Sequence, residues 1–190
     1  MQRSVVLAVV VSFLAVAAAA TLILLPEEKV VPQGGEGIDS TIPVEGYVTV
    51  SVSRQGTEIY YYEGHNLITD AGKDFISAQI GSTSTGSNGA NYIALSSDDT
   101  APVATDTTLT GEITGSGLDR AQGTYTHSAG TNTFTVEAVF TASATVSDVQ
   151  KTGLFTASSG GTMMAENTFS SVNLISGDQL TLTWTITIGQ

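Results

Sequence analysis

The chain has no cysteine in its 190 residues. Disulfides, thiolate zinc sites, iron–sulfur clusters and cysteine nucleophiles are therefore excluded. A domain of this size buries enough core to fold without covalent staples. Basic residues are scarce, 6 Lys and Arg against 18 Asp and Glu, for a net charge of −12. So acidic a surface repels a phosphate backbone, which argues against nucleic acid as a partner. It suits solubility in salt or outside a cell. There are 2 histidines, His65 and His127, and neither stands at metal-ligand spacing, so both read as turn or surface residues. No G-x-S-x-G elbow, phosphate loop or dinucleotide fingerprint occurs, and Gly86-Ser87-Asn88-Gly89 is linker chemistry. No asparagine stands in an N-x-Ser/Thr sequon. These absences point away from an enzyme: no catalytic residue and no cofactor is expected.

Charge is also missing from residues 4–25, SVVLAVVVSFLAVAAAATLILL. A helix of that length spans roughly 33 Å and matches a bilayer core. Three readings fit residues 1–25: an uncleaved signal anchor, a signal peptide with an Ala18-Ala19-Ala20 cleavage site, or a pilin-like helix that packs in a filament core. Cleavage after Ala20 would leave Thr21-Leu22-Ile23-Leu24-Leu25 exposed on the mature chain, which favours retention. Arg3 is the one basic residue before the run, so the positive-inside bias places the remainder outside the cytoplasm, with the membrane as a partner through residues 4–25. Residues 26–45 hold three of the four prolines, Pro26, Pro32 and Pro43, with Gly34-Gly35, and read as a linker or stalk.

Residues 46–190 are rich in Thr, Ser, Gly and Ala, which suits many short strands. The last strand organises them. In QLTLTWTITI, Leu180, Leu182, Trp184, Ile186 and Ile188 share one face and five polar residues the other, the alternation of a half-buried strand. Ten residues at roughly 3.3 Å each span about 33 Å, so partner strands must run its whole length. Upstream, residues 46–64 read as a hairpin turning near Arg54-Gln55-Gly56. A helix follows over about residues 69–80, with a stripe of Ile68, Ala71, Phe75, Ile76 and Ile80. Thr69 or Asp70 caps it, Gly81 ends it, and Gly72 inside it is a mild cost. Strands are expected at about 91–96, 118–127, 133–145, 147–156, 162–169 and 179–188, and Asp106 is expected to cap a short helical turn through Leu109 and Ile113. Turn signals lie at residues 129–132, 158–161 and 176–178. The fold class this predicts is all-β: an antiparallel β-sandwich or jelly-roll-like domain with one short helix, preceded by an N-terminal hydrophobic helix.

NYIALSSDDTAPVATDTTLTGEI, GLDRAQGTY and VQKTGLFTASSGGTMMAENTFSSVNLISGDQLTLTWTITI, with HNLITDAGKDFI before them, resemble a module of virion structural proteins of tailed phages and archaeal viruses, also seen in uncharacterised archaeal surface proteins. The likeness covers residues 46–188. The chain departs from the pattern at Ser96-Ser97-Asp98-Asp99, where Gly-Thr-Gly is usual, and in carrying the N-terminal run. The resemblance implies an all-β structural module used in extracellular assemblies, without catalytic residues.

Three constellations remain. Asp98, Asp99 and Asp106 cluster around one loop and could supply calcium ligands, although turn and cap roles account for them better. Tyr60-Tyr61-Tyr62 places rings on both faces of a strand, mainly for packing. Ile38, Ile42 and Val44 form a short apolar segment suited to completing a neighbouring subunit's sheet, its alternative being a plain tether. The function expected is that of a structural subunit of an extracellular assembly, a pilus-like surface filament or a virion component, with copies of itself as partners. The alternative is a monomeric, membrane-anchored module that binds a sugar or a host receptor.

Overall fold

A computed structural model describes residues 42–81 and 89–189. They belong to one compact unit spanning Asp39–Gln190. The hydrophobic run of residues 1–25 and the linker up to residue 41 lie outside the described residues. Among the described residues, no helix is long and apolar enough to cross a membrane.

The last strand, β10 (Gln179–Ile188), is the middle of a five-stranded antiparallel sheet. Its neighbours are β1 (Val44–Arg54) and β7 (Thr133–Thr141), with β2 (Thr57–His65) and β6 (Thr124–His127) at the edges. Trp184 lies between Val48 and Val136, and Leu182 between Val50 and Ala138. Of these six residues all but Ala138 are fully buried. Leu180 and Ile186 are buried on the same face, while Ile188, the last residue of the expected stripe, is 37% exposed where the sheet frays. The β1–β2 hairpin turns at Gln55 and Gly56, both at positive φ (49° and 79°), as a two-residue primed turn requires.

The second antiparallel sheet has the order β3 (Leu67–Ile68), β9 (Met163–Leu174), β8 (Val146–Phe155), β4 (Tyr92–Ser96), β5 (Ala121–Gln122). Together the sheets form the expected β-sandwich, with one core between them built from the alternate residues of both. The first strand begins at Val44, ahead of the hairpin expected from residue 46, because Val44 already pairs with Ile188.

Four local expectations change. The strand expected over residues 118–127 is two: β5 joins the second sheet and β6 the first. The chain crosses between the sheets at Gly123, where a Cβ would lie 2.6 Å from Val136 Cγ1. The strand from residue 162 runs on to Leu174, its last part pairing with the start of β8 across irregular register. Asp106 caps no helix; it accepts a hydrogen bond from Val103 N at 3.0 Å, and residues 97–120 cross the outer face of the second sheet as irregular chain and turns. Leu109 is the apolar anchor of that cover, packed with Ala94, Phe155 and Met163. Gly72 is a requirement rather than a cost. Helix α1 (Asp70–Gly81), capped by Thr69 Oγ1 receiving Gly72 N at 2.9 Å, lies so close to β9 that a Cβ on Gly72 would fall 2.1 Å from Met164 O.

Candidate functional site

An apolar β-strand alternates, but β8 is buried at every residue from Lys151 to Phe155. The reason is the cover over the second sheet: one face of β8 meets the core and the other meets residues 97–120. Lys151 lies under that cover, 3% exposed. An ammonium at such depth requires partners. Lys151 Nζ donates to Asp98 Oδ2 at 2.6 Å and lies 3.4 Å from Thr100 Oγ1. Glu166 Oε2, on the adjacent strand β9, is 3.9 Å away, and Glu166 is 1% exposed. Thr100 Oγ1 also donates to Asp98 Oδ2. Asp98 is fixed at its own backbone, where Asp98 N donates to Ser96 Oγ at 2.9 Å. Glu166 Oε1 is buried without a hydrogen-bond partner.

The cluster holds three carboxyl groups against one ammonium. Burial, followed by a hydrogen bond and charge from Asp106, pushes the Glu166 carboxyl up to about 7. Hydrogen bonds from Glu166 and from Val103 N hold Asp106 below the usual carboxylate range. The hydrogen bond from Lys151 does the same for Asp98. Glu166 thus holds a proton that Asp106 and Asp98 have given up.

Of the proposed calcium ligands, the structure places Asp98 on Lys151, Asp106 beside Glu166, and Asp99 on the exposed surface. The cation within this cluster is the lysine. Among the described residues, no group of three or more His, Asp and Glu is arranged to hold a metal ion. Of the proposed assembly residues, Ile38 lies outside the described residues, Ile42 is 70% exposed, and Val44 is the first residue of β1. Pro43 O accepts from Gly189 N at 2.7 Å, so residues 43 and 44 are bound to their own sheet. Tyr60 and Tyr62 pack on Phe169 and donate to Ser170 O and Thr168 O, whereas Tyr61 is 55% exposed.

Lys151, Glu166 and Arg120 were not found by motif. Arg120 makes a two-bond pair with Glu112 (2.9 and 2.6 Å), donates to Ala157 O and Gly160 O, and lies 3.6 Å over the Phe155 ring. It pins the β8–β9 turn. The available signal was a single charge among uncharged residues, Lys151 in Val149–Phe155 and Glu166 in Met163–Phe169, since such residues are almost never buried unpaired.

Two further surfaces are exposed. Among the described residues, β2 pairs as a strand with β1 alone. At one end of the sandwich an apolar cleft of about 520 Å³ is lined by Phe75, Ile76, Ile80, Tyr125, Phe134 and Ile188, among others. Compared with models of known families, with curated proteins and with solved structures, the chain finds no match.

Proposed function

We propose that the chain is a structural subunit of an extracellular assembly, a surface filament or virion component, held through the apolar run of residues 4–25. The observation that carries this reading is the open edge of β2. Its nine residues, Thr57–His65, pair with β1 on one side, and no strand among the described residues pairs on the other. An exposed edge of this length accepts an added strand, main-chain hydrogen bonds giving affinity and side-chain pockets giving register. Ile59 and Tyr61 stand 45% and 55% exposed along it. Glu58 and Glu63 among them guard it against indiscriminate pairing.

The occupant is the segment before β1 of a neighbouring copy, around Ile38. Because Pro43 and Val44 are held in their own sheet, the donated part ends at residue 41. The jelly-roll-like arrangement and the N-terminal helix belong to this same proposal, as does kinship with the virion and archaeal surface modules. The test replaces residues 38–41 by glycine and serine in the full-length chain and images the product by electron microscopy. Folded subunits without filaments are expected. Filaments of normal length and heat resistance would exclude strand addition and move the contact to residues 4–25.

A second reading, an anchored monomeric module that binds a sugar ring, is favoured by the apolar cleft, because Phe75, Tyr125 and Phe134 offer aromatic faces on a concave surface. A native particle that is monomeric and whose tyrosine fluorescence titrates with oligosaccharide would establish it over the first.

A further inference from the structure

We propose that Lys151 and Asp98 are the partners of an intramolecular amide cross-link, which forms autocatalytically with Glu166 as the proton relay. The two reacting groups come from β8 and from the loop after β4, and they are already in contact at 2.6 Å. The carboxyl carbon lies one C–O bond beyond the contacted oxygen. A short shift of the confined amine brings it to that carbon, and groups confined and aligned in this way react at effective concentrations of roughly 10⁵–10⁸ M. Lys151 is 3% exposed, so the amine cannot retreat to water.

Glu166 Oε2 stands 3.9 Å from the nitrogen, and Oε1 is buried with no partner. A buried carboxyl that holds a proton and is free at one oxygen can give that proton and take another. In the step proposed, the Lys151 ammonium passes one proton to Asp98 Oδ2, which it already contacts, and the neutral amine attacks Asp98 Cγ. The N–C bond forms. Glu166 gives its proton to the departing hydroxyl and takes a second proton from the nitrogen, the C–O bond breaks, and one water leaves. The ammonium and carboxylate together become an amide and water, with no oxidant, reductant or co-reactant. Thr100 Oγ1, donating to Asp98 Oδ2, polarises the carboxyl and supports the developing charge. Asp106 faces Glu166 from the same cover and sets where its proton rests.

The experiment is peptide mapping of the denatured full-length protein. Trypsin cutting at Lys73, Arg120 and Lys151 would release residues 74–120, 121–151 and 152–190 from an unlinked chain. A linked chain resists cleavage at Lys151 and yields one four-armed species, residues 74–120 joined to 121–190, lighter by one water, with fragmentation placing the bond at Asp98. Glu166→Gln, checked for an unchanged circular dichroism spectrum, should slow linkage by at least tenfold. Asp98→Asn should still link, with loss of ammonia in place of water. Cleavage at Lys151 in the folded wild type after prolonged warming would overturn the proposal. So would a bond located at Asp106, and linkage at the wild-type rate in Glu166→Gln would overturn the relay. Neither outcome bears on strand addition at β2.

Discussion

Trp184 offers the sharpest test of the core. It is fully buried at the centre of β10, flanked by Val48 on one side and Val136 on the other. Trp184→Ala removes the whole indole from a site closed by both sheets. The lost transfer energy and the residual cavity together cost about 3–5 kcal/mol. At about 2–4 °C per kcal/mol for a chain of this size, the thermal midpoint should fall by roughly 6–20 °C. Trp184→Phe tests the reasoning more finely. The indole Nε1 is buried without a hydrogen-bond partner, and a buried donor left unpaired costs about 1–3 kcal/mol. Phenylalanine keeps most of the apolar area and removes that donor, so it should recover most of the stability lost in the alanine variant. The assay is circular dichroism with thermal ramps on the three proteins, with urea titration as a second measure. An alanine variant that melts with the wild type would place the ring outside the core and the register of β10 one residue off. A phenylalanine variant as unstable as the alanine one would mean that Nε1 contributes a hydrogen bond.

Gly72→Ala, a change that stabilises most exposed helices by about 1 kcal/mol, should here destabilise by about 1–3 kcal/mol, because the new Cβ meets Met164 O at 2.1 Å; chemical denaturation reads the sign. Stability should decline as pH rises from 4.5 to about 7, the range over which unfolded Glu166 has released its proton and the folded residue retains it. At about 1.4 kcal/mol per unit the loss is on the order of 3 kcal/mol, and Glu166→Gln should flatten that slope in urea melts taken across the range. Below the ordinary carboxylate value of 3.8, stability should fall again as Asp98, Asp106 and Asp178, all held low in the folded state, take up protons. Protease added to intact cells or particles should release the β domain and spare the N-terminal run; a β domain protected inside the cytoplasm would end the extracellular reading.

The strands were legible wherever one face meets the core and the other meets solvent. In β10 and β1 that asymmetry imposes a period of two, and the turn at Gln55-Gly56 carries its own signature. Legibility failed where the environment is not one-sided. Residues 150–156 and 163–167 are covered on both faces, so alternation disappears and the buried charge of Lys151 and Glu166 has no periodic mark. The cover itself, residues 97–120, has no repeating hydrogen bonds to impose a pattern, and Asp106 followed by Leu109 therefore looked like a helix start. Gly72 reads as a minor flaw, and Gly123 carries no mark at all, because a sequence carries no record of another backbone passing within contact distance. Asp98 and Asp106 were found, but as a loop pair. The residues that give them a role, Lys151 and Glu166, lie more than 50 positions downstream and are brought up by strand pairing.

The proposed edge and the proposed cross-link meet different mechanical demands. The chain before the domain joins at Val44, so tension on that segment acts first on β1. That strand is held on both sides, over ten paired residues with β10 and along the hairpin with β2. Many hydrogen bonds must therefore yield together before β1 leaves. Strand addition at β2 would extend the same sheet into a neighbouring subunit, and load would pass through main-chain bonds from one β2 edge to the next. The second sheet lies off this path. Its cover hangs on Leu109, the Arg120–Glu112 pair and the Lys151 cluster. An ion pair under such a cover is sheltered from salt but holds only while both groups keep their charge, and without it residues 97–120 would lift from β8. An amide between Lys151 and Asp98 has no charge to screen and no proton to lose. It would fasten the cover to β8 whatever the charge state around it, while β1, β2 and β10 bear the pull.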